Sequence, residues 1–258
     1  MSFSNVLKYG LVSQGAFIDP TLLYWYKFND ASNSGTLGAS YPLKRYTCSG
    51  SVYDDTISTY VRNGYCGISG GTASFISTNN YNAFPQYKSS TFSMSVWVQN
   101  FNTTYANFGT PVELGFAIAG YTFYTDNILI FRHQPLNSGD KKWYVQFYNG
   151  IGGCSDTIFT TSTNTAANTN VTMLTVTLTA SVMKFYLNGT YQAQDTDLCT
   201  PKTPPYYYNS YIKFGVNFNQ STNSAVYPYN GKIFDFKLYN KTLSDAEVTA
   251  LYNAGVPS

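Results

Sequence analysis

Alternation of apolar and polar residues between clusters of turn residues is the feature that most constrains how this chain folds. Residues 91–98 (TFSMSVWV) place Phe92, Met94, Val96 and Val98 on one face and Ser93, Ser95 and Trp97 on the other. A period of two is typical of a β-strand that separates two different environments. The segment therefore predicts one strand of a β-sandwich.

The segment 171–192 predicts three strands in series. Its first two apolar sets are Leu174, Val176 and Leu178, then Met183, Phe185 and Leu187, separated by a short polar break. Asn188-Gly189 follows, a dipeptide that tolerates positive φ at both positions of a two-residue turn and so predicts a further hairpin into Tyr191. The segment is typical of an antiparallel meander.

Further strands are predicted between clusters of Gly, Pro, Asn and Ser. These strands are Leu22–Phe28, Glu113–Thr122, Asn127–His133, Lys142–Asn149, Tyr211–Phe218 and Lys232–Tyr239. One helix is predicted to begin at Asp245, because Ser244 and Glu247 form a capping-box pattern and Gly255 marks an end. Many short strands and one helix predict an all-β fold, a two-sheet antiparallel jelly-roll sandwich with one short C-terminal helix.

Charge and hydropathy exclude two classes of partner. Only 11% of the residues are charged and the formal net charge is +2, with no run of Lys or Arg, which argues against nucleic acid as the main partner. No stretch approaches the roughly 18 apolar residues of a membrane span, and the first residues lack the apolar core of an ordinary signal peptide. A location on a virion or on an extracellular surface is predicted, and no finer localisation.

The four cysteines leave two alternatives open. Cys48, Cys66, Cys154 and Cys199 contain no Cys-x-x-Cys pair, so a structural zinc site is not expected. They are either free thiols, the default without a signal peptide, or up to two disulfides. If disulfides form, Cys48 is expected to pair with Cys66, and Cys154 with Cys199.

Residues 1–20 lack a sustained period of 2 or 3.6. Their scattered apolar residues end at Asp19-Pro20, just before the predicted strand LLYWYKF. We expect residues 1–20 to form an N-terminal arm or edge extension, and residues 21–258 to form the sandwich domain. Such an arm predicts homo- or hetero-oligomeric assembly through residues 1–20.

Four segments together resemble the laminin G-like or concanavalin A-like jelly-roll superfamily. LLYWYKFND (22–30) is similar to its first strand, TFSMSVWV (91–98) to the strand that ends in a core Trp, and VTMLTVTLTASVMKFYLNGTYQ (171–192) to its paired strands. The most specific match is GKIFDFKLYNKTLSDAEVTALYNAG (231–255), which resembles the closing strand and the capped helix. The resemblance covers most of the chain, and it leaves 99–170 as the region where specificity is expected.

The resemblance implies lectins, adhesion modules or retaining glucanases, so chemistry has to decide among them. The glucanases use a Glu-x-Asp-x-Glu strand, whereas the only Glu residues here are Glu113 and Glu247. The single His133 and the lack of a G-x-S-x-G motif give no candidate for nucleophilic catalysis. No catalytic residue is predicted, and the chain is not expected to be an enzyme.

Binding is the better interpretation, because aromatic rings stack on the apolar faces of sugars and amide groups bond their hydroxyls. The candidate ligand-binding residues are Trp143, Tyr206, Tyr207, Tyr208, Asn209, Tyr227 and Tyr229. The alternative is that these side chains lie in the core or in a protein interface. No cofactor is predicted; calcium stays open, with Asp126-Asn127 or Asp54-Asp55 as ligands that the resemblance suggests.

The sequence therefore predicts a non-catalytic recognition module that binds a glycan or a protein surface. A structural subunit of a large assembly, such as a virion surface or minor capsid protein, is the alternative. The uncharged surface rich in Tyr, Asn, Ser and Thr, the absence of a signal peptide and the predicted arm all support this alternative.

Overall fold

The structure is a computed structural model that describes most of the chain from residue 19 to residue 256. The described ranges are 19–30, 32–37, 42–47, 52–54, 61–62, 65–68, 74–78, 91–101, 109–118, 125–134, 139–148, 155–167, 169–198, 207–215, 217–219 and 224–256.

Strands account for almost all of the regular structure in these ranges. In chain order they are β1 (Leu22–Tyr26), β2 (Leu43–Thr47), β3 (Val52–Asp54), β4 (Val61–Arg62), β5 (Tyr65–Ile68), β6 (Ser74–Thr78), β7 (Phe92–Asn100), β8 (Gly109–Ile118), β9 (Thr125–His133), β10 (Trp143–Tyr148), β11 (Ser155–Phe159), β12 (Thr172–Leu178), β13 (Met183–Leu187), β14 (Thr190–Asp195), β15 (Tyr207–Phe214), β16 (Asn217–Asn219), β17 (Ser224–Val226) and β18 (Gly231–Tyr239). One helix, α1 (Asp245–Asn253), follows β18.

The strands form two large antiparallel sheets and one small hairpin. Sheet A has the order β14-β13-β12-β7-β18-β5-β4, with β1 also paired to β18. Sheet B has the order β11-β10-β9-β8-β15-β6-β2-β3, and β16 pairs with β17. Neighbours that are distant in sequence, such as β7 and β18, make this the two-sheet antiparallel sandwich that the sequence predicts.

The main core lies between the two sheets. Alternate residues of the central strands are fully buried there, among them Val96 and Val176 from sheet A and Val112 and Phe131 from sheet B. Aromatic rings fill the space between them: Phe214 meets Phe236 edge-to-face, with ring centroids 5.0 Å apart. Because each large apolar side chain buried in this way contributes about 1.5–3 kcal/mol, this core carries most of the stability.

A second apolar cluster lies on the outer face of sheet A, under α1. Trp97, which the alternation places opposite the main core, is buried there and stacks on Tyr252 of the helix with ring centroids 5.6 Å apart. Leu243 and Val248 are buried in the same cluster. The helix therefore covers this part of the outer face of sheet A.

The meander predicted over 171–192 is confirmed as β12, β13 and β14. Asn188 and Gly189 have φ of 50° and 74°, the two positive values that the turn requires. The bounds of the strand predicted over Tyr211–Phe218 are wrong, because β15 begins at Tyr207 and ends at Phe214. Gly215 has a φ of 86°, which takes the backbone out of the strand conformation.

The predicted start of α1 is confirmed with its cap. The Ser244 hydroxyl accepts from the Glu247 amide at 3.3 Å, and the Ser244 amide donates to the Glu247 carboxylate at 2.8 Å. Lys241 adds an ion pair to the same carboxylate at 2.8 Å. The helix therefore begins where the capping box satisfies its first amides.

Replacing Ser244 with alanine is expected to lower the free energy of unfolding by about 1 kcal/mol, because an amide of the first turn loses its acceptor. Urea melts measure the change. Ser244→Asp is the control, since aspartate is an equally good cap and should leave the midpoint near that of the wild type. Equal melts for wild type and Ser244→Ala would contradict a docked, capped helix.

The predictions for residues 1–20 and for the cysteines mostly lie outside the described residues. Of the predicted arm only Asp19 and Pro20 are described, and Asp19 is held to the sandwich by the Thr21 amide at 2.8 Å and by Lys241 at 3.3 Å. Cys66 lies in β5, and the other three cysteines lie outside the described ranges. Within these ranges no helix is long and apolar enough to cross a membrane.

Candidate ligand-binding face

The structure corrects two of the seven residues predicted to bind a ligand. Trp143 is 1% exposed and Tyr229 is 0% exposed, so neither ring offers a face to a ligand. Trp143 lies in the main core because it shares the core-facing side of β10 with Val145 and Phe147, whereas Tyr144 lies on the opposite side. The alternative interpretation, that these aromatic residues are core, is correct at both positions.

The remaining five predicted residues fall in two segments. Tyr206 lies outside the described residues, and Tyr207, Tyr208 and Asn209 lie at the start of β15. Tyr227 is on the surface, with 37% of its area exposed. Tyr227 is therefore the predicted residue that the structure describes as open to a ligand, and its role as a ligand contact stays a prediction.

The backbone at Tyr227 has an unusual conformation. Its φ is 52°, in the left-handed region that residues other than glycine rarely adopt. The Tyr227 carbonyl accepts from the Thr110 amide at 3.1 Å, and two residues later the Tyr229 amide donates to Gly215 at 2.8 Å. These contacts hold the segment against the start of β8 and against the residue that follows β15.

The Tyr227 ring covers an arginine on the outer face of sheet B. The Arg132 guanidinium carbon lies 5.0 Å from the centre of the ring, within the range of a cation–π contact. Arg132 is 8% exposed, and its Nη1 donates to Gln146 Oε1 at 3.1 Å. Arg132 faces outward because it follows the core residue Phe131 in β9.

Two further aromatic residues continue this row across the sheet. Tyr144 pairs with Arg132 on one side and with Phe159 on the other. The rings of Tyr144 and Phe159 are 5.1 Å apart, and Phe159 is 39% exposed. Arg132 and Phe159 are therefore two strand spacings apart, or about 10 Å, with Tyr144 between them.

A buried ion pair lies in the neighbouring row of the same face. Glu113 of β8 and Lys213 of β15 are directly paired strand residues, 0% and 3% exposed, with 3.5 Å between Lys213 Nζ and Glu113 Oε1. Burial lowers the pKa of Lys213 to about 8, although the Glu113 charge opposes that shift. The carboxylate of Glu113 therefore lies against the Lys213 ammonium inside the protein.

The single histidine lies on the core side of the same strand as Arg132. His133 is 2% exposed, its Nδ1 donates to the Gln134 carbonyl at 2.8 Å, and its ring meets Trp143 edge-on at 5.4 Å. Burial lowers its pKa to about 4, so the ring is neutral at pH 7. Gly109 faces it, where a Cβ atom would lie 2.1 Å from His133 Nε2. His133 is a packed core residue.

The described residues do not test the calcium ligands that the resemblance suggests. They contain no group of three or more His, Cys, Asp or Glu side chains that could hold a metal ion. Asp54, Asp126 and Asn127, which the resemblance suggests as ligands, lie within β3 and β9, and Asp55 lies outside the described ranges. Calcium at these positions stays a prediction.

Sequence reasoning missed Arg132, Gln146, Tyr144 and Phe159. Each lies in a strand whose apolar pattern was recognisable, but the row exists only after three strands pair in one register. The alternation in WYVQFY could have indicated two of them, because it places Tyr144 and Gln146 on the face opposite the core residues Trp143, Val145 and Phe147.

Fold and face together define a class: a lectin-type β-sandwich with an aromatic and polar face on one sheet. Residues 70–249 match a laminin G-type family model described as the concanavalin A-like lectin/glucanases superfamily. The chain belongs to this superfamily. Among curated protein sequences no significant match is found.

Solved structures share this fold at low sequence identity. The binding domain of botulinum neurotoxin DC in complex with rat synaptotagmin II has a TM-score of 0.61 at 13% identity, over 91% of this chain and 51% of that chain. Domain 4 of a GH43 extracellular arabinanase from Geobacillus stearothermophilus, in complex with arabinotriose, has a TM-score of 0.53 at 18% identity, over 90% of this chain and 98% of that chain. The chain thus spans about half the length of the toxin binding domain and nearly all of the arabinanase domain.

Proposed function

We propose that this chain is a non-catalytic recognition module that binds a glycan on the outer face of sheet B. The observation that carries the proposal is the row of Phe159, Tyr144 and Arg132 with Tyr227 above the arginine, which ends in two exposed rings. Rings of this kind stack on the apolar C–H faces of sugars. The similar arabinanase domain, solved with arabinotriose, supports a glycan as the ligand class.

The polar groups between the rings favour a glycan over a protein partner. Sugar hydroxyls need donors and acceptors close to the stacking ring, and Arg132 and Gln146 supply both beside Tyr227. Their mutual hydrogen bond fixes the two side chains before a ligand arrives. Such preorganisation reduces the entropy that binding would otherwise cost.

The non-catalytic part of the proposal is supported by the use of both glutamates. Glu113 is buried against Lys213, and Glu247 caps α1 and pairs with Lys241. A retaining glycosidase needs two carboxyl groups about 5 Å apart on either side of the scissile bond. Neither glutamate is therefore available to such a pair, which supports binding over cleavage.

Replacing Tyr227 with alanine is expected to weaken glycan binding at least about tenfold, or about 1.4 kcal/mol, because the stacking ring is lost. A glycan array identifies a bound oligosaccharide, and calorimetry then measures its affinity for both proteins. Tyr191→Ala is the matched control, since Tyr191 is 43% exposed but lies in β14 of sheet A.

The control should bind as tightly as the wild type. Equal binding by Tyr227→Ala and Tyr191→Ala would place the ligand elsewhere and contradict the assignment of this face. Unchanged thermal midpoints in both variants would show that any loss of affinity comes from the ring and not from unfolding.

The alternative of a structural subunit of a virion or other assembly rests on residues 1–20. Only Asp19 and Pro20 of that segment are described, and Asp19 is bonded within its own chain to Thr21 and Lys241. The alternative stays a prediction that assembly is lost when residues 1–20 are removed.

A further inference from the structure

The edge of sheet B carries an exposed ring, Phe159, with two polar side chains beside it. Phe159 and Thr157 lie on the same outer face of β11, because Ile158 between them is buried in the main core. Gln146 of β10 is directly paired with Thr157 and shares that face. The three side chains form one patch, with about 5 Å between paired residues and about 7 Å between alternate residues of a strand.

The polar atoms of this patch are accessible to a ligand. Gln146 Oε1 accepts from Arg132 Nη1 at 3.1 Å. Gln146 Nε2 and Thr157 Oγ1 make no hydrogen bond among the described residues, and neither is one of the atoms that are buried without a partner, so solvent reaches both. A guanidinium has donors only, so it holds the carbonyl side of the Gln146 amide and turns the N–H groups away. Gln146 therefore presents donors in a fixed orientation beside the Phe159 ring.

We propose that Phe159, Thr157 and Gln146 form a second sugar subsite, so that this face binds an oligosaccharide and not a single sugar. The inference rests on the proposed function and names the ligand class of the same face. One sugar ring stacks on Phe159, its oxygens accepting from Gln146 Nε2 and bonding the Thr157 hydroxyl. The next sugars cross β10 toward Arg132, about 10 Å or two strand spacings away, where the Tyr227 ring lies.

The separation of the two exposed rings favours a chain of sugars. Tyr144, which is 5% exposed, lies between Phe159 and Arg132 and fills the surface there. A single sugar stacks on one ring at a time, whereas an oligosaccharide contacts both. Once one ring is engaged, the second contact is intramolecular, and the affinity rises without a second loss of translational freedom.

The test uses the full chain and ladders of neutral sugars, with glucose, galactose, mannose and xylose each as the single sugar and as linear oligomers up to the hexamer. In the ladder that binds best, the oligomers are expected to bind at least about tenfold more tightly than the single sugar, as calorimetry measures. In the wild type, the oligomer should also shift the side-chain amide resonances of Gln146, a readout that needs no substitution.

Substitutions in β11 separate a stacking ring from an apolar side chain. Phe159→Leu keeps the apolar character but loses the flat ring, so most of the affinity gained with length should disappear, whereas Phe159→Tyr should keep the gain. Thr157→Val removes only the hydroxyl and should weaken oligomer binding several-fold. Tyr191→Leu is the matched control, since Tyr191 is 43% exposed on β14, the edge strand of sheet A, and the gain should persist.

The failures are distinguishable. Oligomers that bind no more tightly than their single sugar, with binding lost in Tyr227→Ala, would overturn the second subsite and leave the glycan-binding function intact. A gain with length that survives Phe159→Leu would also overturn the assignment to this patch. Binding to no ladder would contradict the second subsite, and binding to no member of the glycan array would contradict the proposed function as well.

Discussion

Replacing Lys213 with methionine is expected to lower the free energy of unfolding by about 3–5 kcal/mol. Methionine fills much the same volume, but Glu113, which is 0% exposed, then loses the ammonium that lies 3.5 Å away. Breaking a buried pair from one side is costly because a carboxylate cannot be resolvated in the interior. Denaturant melts at pH 7 measure the loss.

An exposed ion pair on the other sheet provides the control. Lys184 and Asp245 are 3.2 Å apart, but their side chains are 35% and 66% exposed, so Lys184→Met should cost no more than about 1 kcal/mol. Replacing both partners, as in Glu113→Leu with Lys213→Met, should recover most of the stability lost by Lys213→Met alone. Equal losses from Lys213→Met and Lys184→Met would show that the Glu113 pair is not buried in solution.

The fold could be predicted from local patterns because they agree with the long-range pairing. The alternation in 91–98 places Met94 and Val96 in the core and Trp97 outside it, and the structure keeps that division, with Trp97 buried under α1. The Ser244 capping box could be predicted for the same reason, since its partners are three residues apart. Where a strand ended at a single glycine, as at Gly215, alternation alone placed the boundary wrongly.

The candidate site could be predicted only in part, because it depends on register. Tyr227 stood out as an aromatic residue beside a proline, but Trp143 and Tyr229 looked equally promising and are buried. Residue type cannot separate a buried aromatic residue from an exposed one, since the same ring can pack in a core or stack on a sugar. Arg132 could not be predicted because its two contacts come from other segments: Gln146 lies on the paired strand β10, and the Tyr227 ring lies over the guanidinium.

The protein is expected to lose stability on mild acidification because of His133. Burial lowers the pKa of this ring from 6.5 to about 4 in the folded state, whereas the unfolded chain retains the ordinary value. Between these two pH values the unfolded state binds the proton more readily, so the free energy of unfolding falls as the pH falls. The stabilising effect of the neutral ring is complete above pH 6.5, and about 3 kcal/mol is lost by pH 4.

Denaturant melts between pH 7 and pH 5 isolate this effect. The pKa values of Asp19, Asp245 and Glu247 are lowered from 3.8, 3.8 and 4.5, so the stability that these carboxylates contribute is lost only in more acidic solution. The wild type should lose about 2 kcal/mol over this interval, and His133→Asn, which keeps a donor for the Gln134 carbonyl, should lose much less. Since the chain has one histidine, its ring resonances report the pKa of His133 in the wild type without any substitution. A midpoint near 6.5 in that titration would mean that the ring is solvated, and it would contradict the packing of His133 against Trp143 and Gly109 beneath the Arg132 row.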